Sequence, residues 1–389
     1  MKTLNNKIYI TYFFYIFVTS VIYLNFHLHE FPNKYVYTDW LINYEGGFVR
    51  RGLLGQIIFK ISNFFNLEIS LIILYFQIAS YFLYFLLFFF IFFKIKTNFF
   101  WLLIIFSPIL FLYPIAELEA LGRKDILVIS LFLIFSLINY NNLNSLILSF
   151  ICFFSLSTLI HEITVFYIFH YLFIVYIKNR FVIKQKFNYL YFLYILICIS
   201  CLLYLALYKH NFVVIEDILN SYDYEDFTNE SGSFSHIKPS LESVFLKTIK
   251  NISLAPIIRI ILLLFLSLFP ILFFNKIKEE YVDKYFNLRN IIFASILLAI
   301  PLYLLIFDWG RVIYINYNFL IIIITQLFIL KLFDQNFLDT KIKDLKKIYK
   351  VLMFILICLS FSPKILVTDD LSSFPLYRSI IKIIKITLI

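Results

Sequence analysis

Apolar residues in this chain come in long unbroken runs separated by short polar clusters. Candidate membrane spans are 8–26, 69–93, 99–115, 126–139, 145–160, 163–177, 187–208, 251–274, 291–307, 312–333 and 351–363. A last amphipathic or short spanning stretch covers 376–389. Most of these runs approach the length needed to cross a hydrocarbon core of about 30 Å. One stretch breaks the pattern. In 52–66, apolar residues recur at Leu53, Leu54, Ile57, Ile58, Ile61, Phe64 and Phe65, with polar or small residues at Gly52, Gly55, Gln56, Lys60, Ser62, Asn63 and Asn66, and Phe59 as the exception. That is helical period with one apolar face, and it predicts a helix lying in the membrane interface. The expected fold is an all-α polytopic membrane protein with about eleven or twelve spans and one interfacial helix, forming a single transmembrane domain over 1–389.

Composition agrees. Of 389 residues, 62% are hydrophobic and only 15% charged, against about 45–50% apolar in soluble domains. Mean hydropathy is +0.89. The net charge of +10 is explained by lysines in cytoplasmic loops, not by a nucleic-acid partner. With the N-terminus inside, the inside segments carry eighteen Lys and Arg against six acids, and the remaining loops are mixed or acidic. The run 8–26 follows Lys2 and Lys7, and no small-residue cleavage site follows it, so it reads as a retained first span. Cys152, Cys198, Cys201 and Cys358 all lie in apolar runs. No further ligand stands near the Cys198/Cys201 pair, so they read as small packing residues.

This orientation puts 27–68, 116–125, 161–162, 209–250, 308–311 and the tail after 363 on the outer side. There the unusual chemistry gathers. The chain has seven glycines, and four (Gly46, Gly47, Gly52, Gly55) fall within ten residues beside Asp39, Glu45, Arg50 and Arg51. Glycines next to paired arginines and carboxylates suit a backbone shaped for a charged ligand. The alternative is an anchor whose arginines meet lipid headgroups. The next outer segment, 117–125, is ELEALGRKD, where Arg123 and Lys124 can hold phosphate oxygens and Asp125 can orient one of them. It also reads as an ordinary charged hairpin tip. His161 and Glu162 stand alone in a very short connection, as an acid–base or phosphate-donating pair or a helix-end pair. Asp308-Trp309 echoes Asp39-Trp40, so both tryptophans fit either the interfacial belt or a sugar-stacking surface. Asp308 and Arg311 also stand at i, i+3 spacing and can simply pair. The long polar loop 209–250 reads equally as a mobile lid or a solvated linker.

Ionisable residues are scarce in mid-span, with Arg259 and His170 the main ones. A transporter places polar groups near the midplane. No phosphate-binding loop, dinucleotide fingerprint, H-E-x-x-H or G-x-S-x-G element occurs.

One span, then a long outer loop with an acidic residue and an interfacial helix, then short charged outer loops: over about residues 1–210 this layout resembles the GT-C membrane glycosyltransferases. The resemblance implies an acidic base at Asp39 or Glu45 and phosphate contacts at Arg123 or Lys124. The Asp-Glu dipeptide of many members is absent, since Trp40 follows Asp39. Size, span number, aromatic richness and the loop 209–250 also resemble O-antigen and capsule repeat-unit polymerases, although no arginine here is followed by a glycine eleven residues later. Both resemblances imply transfer of a sugar or oligosaccharide from a polyprenyl phosphate or pyrophosphate to an acceptor hydroxyl at the outer face of the bacterial cytoplasmic membrane. Asp39 is then the expected base, and Arg50, Arg51, Arg123, Lys124 and Arg311 the expected phosphate clamp. The implied partners are the lipid-linked sugar, membrane lipids and other polysaccharide-assembly membrane proteins. No cofactor is required, and the outer carboxylates leave room for a divalent metal ion. A lipid-linked sugar flippase and a non-catalytic membrane scaffold are the competing expectations.

Overall fold

The computed structural model describes residues 2–26, 34–95, 98–117, 119–186, 189–207, 212–221, 232–236, 245–246, 248–250, 254–283, 286–306, 308–359, 380–381 and 384. The chain is an all-α polytopic membrane protein. Its first half runs α1 (Lys2–Asn25), α2 (Lys34–Leu41), α3 (Gly52–Phe65), α4 (Ile69–Lys94), α5 (Phe99–Ile105), α6 (Tyr113–Ala116), α7 (Asp125–Leu137), α8 (Leu143–Ile160), α9 (Ile168–Lys178), α10 (Tyr189–Leu207) and α11 (Phe212–Asn220). Then come α12 (Leu254–Phe274), α13 (Leu288–Leu305), α14 (Trp309–Ile329), α15 (Gln335–Asp344) and α16 (Lys347–Phe354). A 3₁₀ turn, Glu162–Tyr167, leads into α9. Asn98, Asn142, Asn287 and Asp334 start α5, α8, α13 and α15 by accepting a backbone N–H of the first turn, which would otherwise lack a partner.

Among the described residues, eight helical segments are long and apolar enough to span a membrane. They match expected spans 8–26, 69–93, 99–115, 145–160, 163–177, 251–274, 291–307 and 312–333. Expected spans 126–139 and 187–208 are shorter apolar helices, and 351–363 is α16 followed by a π-turn over Ile355–Leu359. Most of the stretch 376–389 lies outside the described residues.

The chain divides into two compact units that alternate along the sequence: Met1–Ile22, Phe85–Leu121 and Phe245–Ile389 form one, Tyr23–Tyr84 and Gly122–Val244 the other. In the first, α14 is the centre, buried from Trp309 to Phe328. It packs on α13 and on the π-turn Pro108–Leu112. Ser295 on α13 donates to Asn316 on α14 at 2.8 Å, so a polar pair fixes their register within an apolar bundle. The span 99–116 breaks before Pro108. There Ser107 N–H turns to Ile104 O at 3.1 Å, and the Cys358 thiol reaches Leu103 O at 3.7 Å. Cys358 is buried, whereas Cys152 and Cys201 are exposed on helix surfaces. All four are free thiols in apolar segments, where a small apolar residue satisfies itself equally well against protein or lipid.

The second unit carries the unusual stretch. Helix α3 packs against α2 and α8, burying Gly52, Leu54, Gly55, Ile58 and Ser62 and exposing Ile57, Phe64 and Phe65. The interfacial geometry expected of this helix fits that division. The glycines, however, have a packing role. A Cβ on Gly55 would lie 1.9 Å from Ile42 O, so only glycine lets α3 approach the chain leaving α2. The loop 209–250 is not simply a lid or linker. Residues 212–220 are helical, and Gly232–His236 forms a 3₁₀ turn packed on α2.

These contacts give an ordering. Gly55→Ala places a methyl on backbone and is expected to cost about 1–3 kcal/mol. Gly47→Ala meets open space and pays only for its φ of +104°, about 1 kcal/mol. Thermal unfolding of the detergent-solubilised protein should show the larger loss for Gly55→Ala; the reverse order contradicts this packing.

Candidate functional site

The site is assembled where α7 begins, α8 ends and α2 runs into α3. Its first component is the turn before α7. Gly122 adopts φ +75°, a conformation that only glycine takes without strain. Its carbonyl accepts from Trp40 Nε1 at 2.7 Å and Gln77 Nε2 at 3.3 Å, and its N–H donates to the Tyr81 hydroxyl at 3.0 Å. Three side chains from α2 and α4 thus fix the two peptide groups on either side of Gly122 and, with them, the direction of Lys124. The Lys124 ammonium is buried, lies 5.9 Å from the centre of the Trp40 ring and donates to Arg51 O at 2.9 Å. Burial pulls its pKa down to about 8, against the opposing pull of Asp39.

Arg51 is the second component. It sits at φ +65°, left-handed for a residue with a side chain, immediately before α3. From there its guanidinium forks onto Glu162: Nε reaches both carboxylate oxygens at 2.9 and 2.7 Å, and Nη2 reaches Oε1 at 2.5 Å. Nη1 turns to Asp39 Oδ1 at 3.2 Å. One arginine therefore joins α2 to the 3₁₀ turn after α8, through carboxylates 123 positions apart in sequence. A planar five-donor fork can do this; an ammonium cannot. The Asp39 side chain is 5% exposed and Glu162 15%, so both pairs are shielded from water, where such contacts count for more than on a surface.

His161 is the third component. It is buried, and its Nδ1 accepts from Ile163 N at 3.3 Å. Its Nε2 faces Asp125 Oδ1 at 4.0 Å, and Nδ1 also lies 3.5 Å from Glu162 Oε2. Asp125 opens α7, where a carboxylate suits the helix dipole.

Asp39, Arg51, Lys124, Asp125, His161 and Glu162 are thus brought together. Arg50 and Arg123 flank them, both half-buried. Burial lowers the Arg50 guanidinium below its ordinary value, with Glu162 pulling the other way and Arg51 adding to the fall. Glu45 is placed differently. It is exposed, and its carboxylate accepts from Gln56 Nε2 at 2.7 Å, bracing the loop before α3. Asp308 and Arg311 belong to the other compact unit, where Arg311 Nη1 lies 3.5 Å from Asp308 Oδ2. Neither tryptophan belongs to an exposed belt or stacking surface. Trp40 and Trp309 are buried, and Trp309 Nε1 donates to Tyr303 O at 2.8 Å. The residues the sequence reading missed are Gln77, Tyr81 and Gly122. The first two sit within an ordinary apolar span, and only the third carried any signal, as a glycine within the charged segment 117–125.

Among the described residues, no group of three or more His, Cys, Asp or Glu is disposed to hold a metal ion. The acids here are engaged by Arg51 and His161, so the donor set does not fit a divalent ion. No family model matches the chain, and no curated protein or solved structure matches it either.

The lowered Lys124 pKa has a signed consequence. An unfolded lysine holds its proton to about pH 10.4, whereas the folded Lys124 releases it near 8. Between these values the unfolded state binds more protons, so stability rises with pH. The stability of wild type minus that of Lys124→Met, measured by thermal unfolding, should rise from pH 8 to pH 10. A flat or falling difference contradicts the burial of a strained ammonium.

Proposed function

We propose that this cluster binds the phosphate of a polyprenyl-linked sugar at the outer face of the bacterial cytoplasmic membrane, with the N-terminus of the chain inside. The protein then transfers the sugar or oligosaccharide to an acceptor hydroxyl, as a repeat-unit polymerase of O-antigen or capsule type. A GT-C single-sugar transferase is the near alternative within the same chemistry. The observation that carries the reading is a compact set of four cations and three carboxylates at the ends of membrane helices, in a chain whose spans are otherwise almost free of charge. Ionisable groups at membrane depth are expensive and are kept for a purpose. A lipid-linked phosphate lies at the interface, where helix ends lie.

Arg51 holds Glu162 and Asp39, and Lys124 donates to the Arg51 carbonyl. Together with Arg50 and Arg123, half-buried at the edge of the cluster, they are the cations assigned to the phosphate, beside the start of α3, whose first turn no side chain caps. In transfer, the acceptor hydroxyl attacks the anomeric carbon and gives its proton to the Asp39 carboxylate. The bond from that carbon to the phosphate oxygen breaks, and the departing phosphate keeps the electron pair. Arginines at that oxygen stabilise the developing charge without a metal. Glu45, tied to Gln56, is assigned no step.

A flippase remains the second reading, favoured by the buried polar residues Asn316, Asn318, Thr325 and Gln326 along α14. Loss of a flippase traps lipid-linked units inside; loss of a transferase leaves single units exposed outside. Asp39→Asn should cut transfer by at least about a hundredfold with the protein still in the membrane, and Arg50→Ala should weaken donor use more than Lys60→Ala does. Full transfer in Asp39→Asn, or accumulation of inward-facing units, overturns the reading.

A further inference from the structure

Two feet of the loop 209–250 stand on the segment that carries Asp39. Ser221, at the end of α11, accepts from Asn43 Nδ2 at 3.0 Å. The turn Gly232–His236 then sits on α2. Ser233 N–H donates to Thr38 Oγ1 at 2.8 Å, the Ser233 hydroxyl donates to Tyr35 O at 2.7 Å, and Phe234 is fully buried. Thr38 completes the joint by donating its own proton to Lys34 O at 2.6 Å. Gly232 makes the close approach feasible. It holds φ +51°, and a Cβ there would lie 2.4 Å from Lys34 O and 2.5 Å from Thr38 Oγ1.

The neighbours of Thr38 give this joint its meaning. Thr38 is gripped by the loop, Asp39 by Arg51, and Trp40 by the Gly122 carbonyl. Three successive residues of an eight-residue helix are thus fixed from three directions. A helix that short has little stability of its own, so its orientation is set by these grips.

We infer that Thr38, Gly232 and Ser233 are positioning residues for Asp39, with the turn Gly232–His236 acting as a fixed strap on α2. The inference rests on the role proposed above for Asp39. The strap acts on that carboxylate through the helix, and the bond that matters is the Ser233 backbone N–H to a hydroxyl at position 38. A serine at 38 therefore preserves it and a valine removes it.

The test uses the full chain in lipid nanodiscs, comparing wild type, Thr38→Val, Thr38→Ser, Gly232→Ala and Asp39→Asn. Hydrogen–deuterium exchange should quicken in both 34–41 and 232–236 for Thr38→Val and Gly232→Ala, and stay slow for Thr38→Ser. Transfer from membrane-extracted lipid-linked donor should fall at least about tenfold in turnover in the first two variants, as displaced catalytic groups do, with the donor KM little changed, and recover in Thr38→Ser. Faster exchange with undiminished turnover overturns the positioning role. Unchanged exchange in Thr38→Val overturns the strap itself. Full activity in Asp39→Asn defeats the catalytic reading alone, because the exchange data still report whether the strap holds α2.

Discussion

A single guanidinium joins the parts of the candidate site. Arg51 reaches back to Asp39 on α2 and across to Glu162 beyond α8, and its carbonyl receives the buried Lys124. None of these groups is stable alone away from water. An isolated charge in a low-dielectric setting is costly, and a charge with well-placed opposite partners is tolerated. Removing Arg51 would leave two carboxylates and one ammonium without their common reference. The left-handed backbone at Arg51 is a local cost that this arrangement offsets.

Around that centre the packing follows from small residues and from peptides used as anchors. Gly55 lets α3 lie against the end of α2. Gly122 offers its carbonyl and its N–H to three side chains. In a membrane protein, helices gain little from apolar contact with one another, because lipid is equally apolar; close approach and hydrogen bonds set the geometry. The first unit shows the same logic, with Ser295 and Asn316 pairing inside a bundle of Ile, Leu and Phe.

The fold was largely legible in the sequence, because spans announce themselves by length and hydropathy, and because 53–65 keeps helical period beside polar and small residues. The grouping of Asp39, Arg51, Lys124, Asp125, His161 and Glu162 was legible only as a list of charged islands on one side. What remained hidden was the pairing. Nothing local in VRRG distinguishes Arg50 from Arg51; the left-handed backbone and the carboxylate 111 residues away do. The glycine cluster drew notice to this stretch, and Gly55 in it serves helix approach. The turn Gly232–His236 read equally as part of a mobile lid or of a solvated linker, because its partners, Tyr35 and Thr38, lie almost two hundred positions earlier. Asp308 and Arg311, by contrast, pair as their i, i+3 spacing allowed.

The central claim is that Arg51 and Glu162 act as one unit. A double-mutant cycle on unfolding stability, with Arg51→Met, Glu162→Gln and the pair combined, tests it most directly. The account expects each single change to be costly and the combined variant to be little worse than either, giving a coupling of about 1–3 kcal/mol. Costs that simply add would show that the two residues do not depend on each other, and would contradict the account.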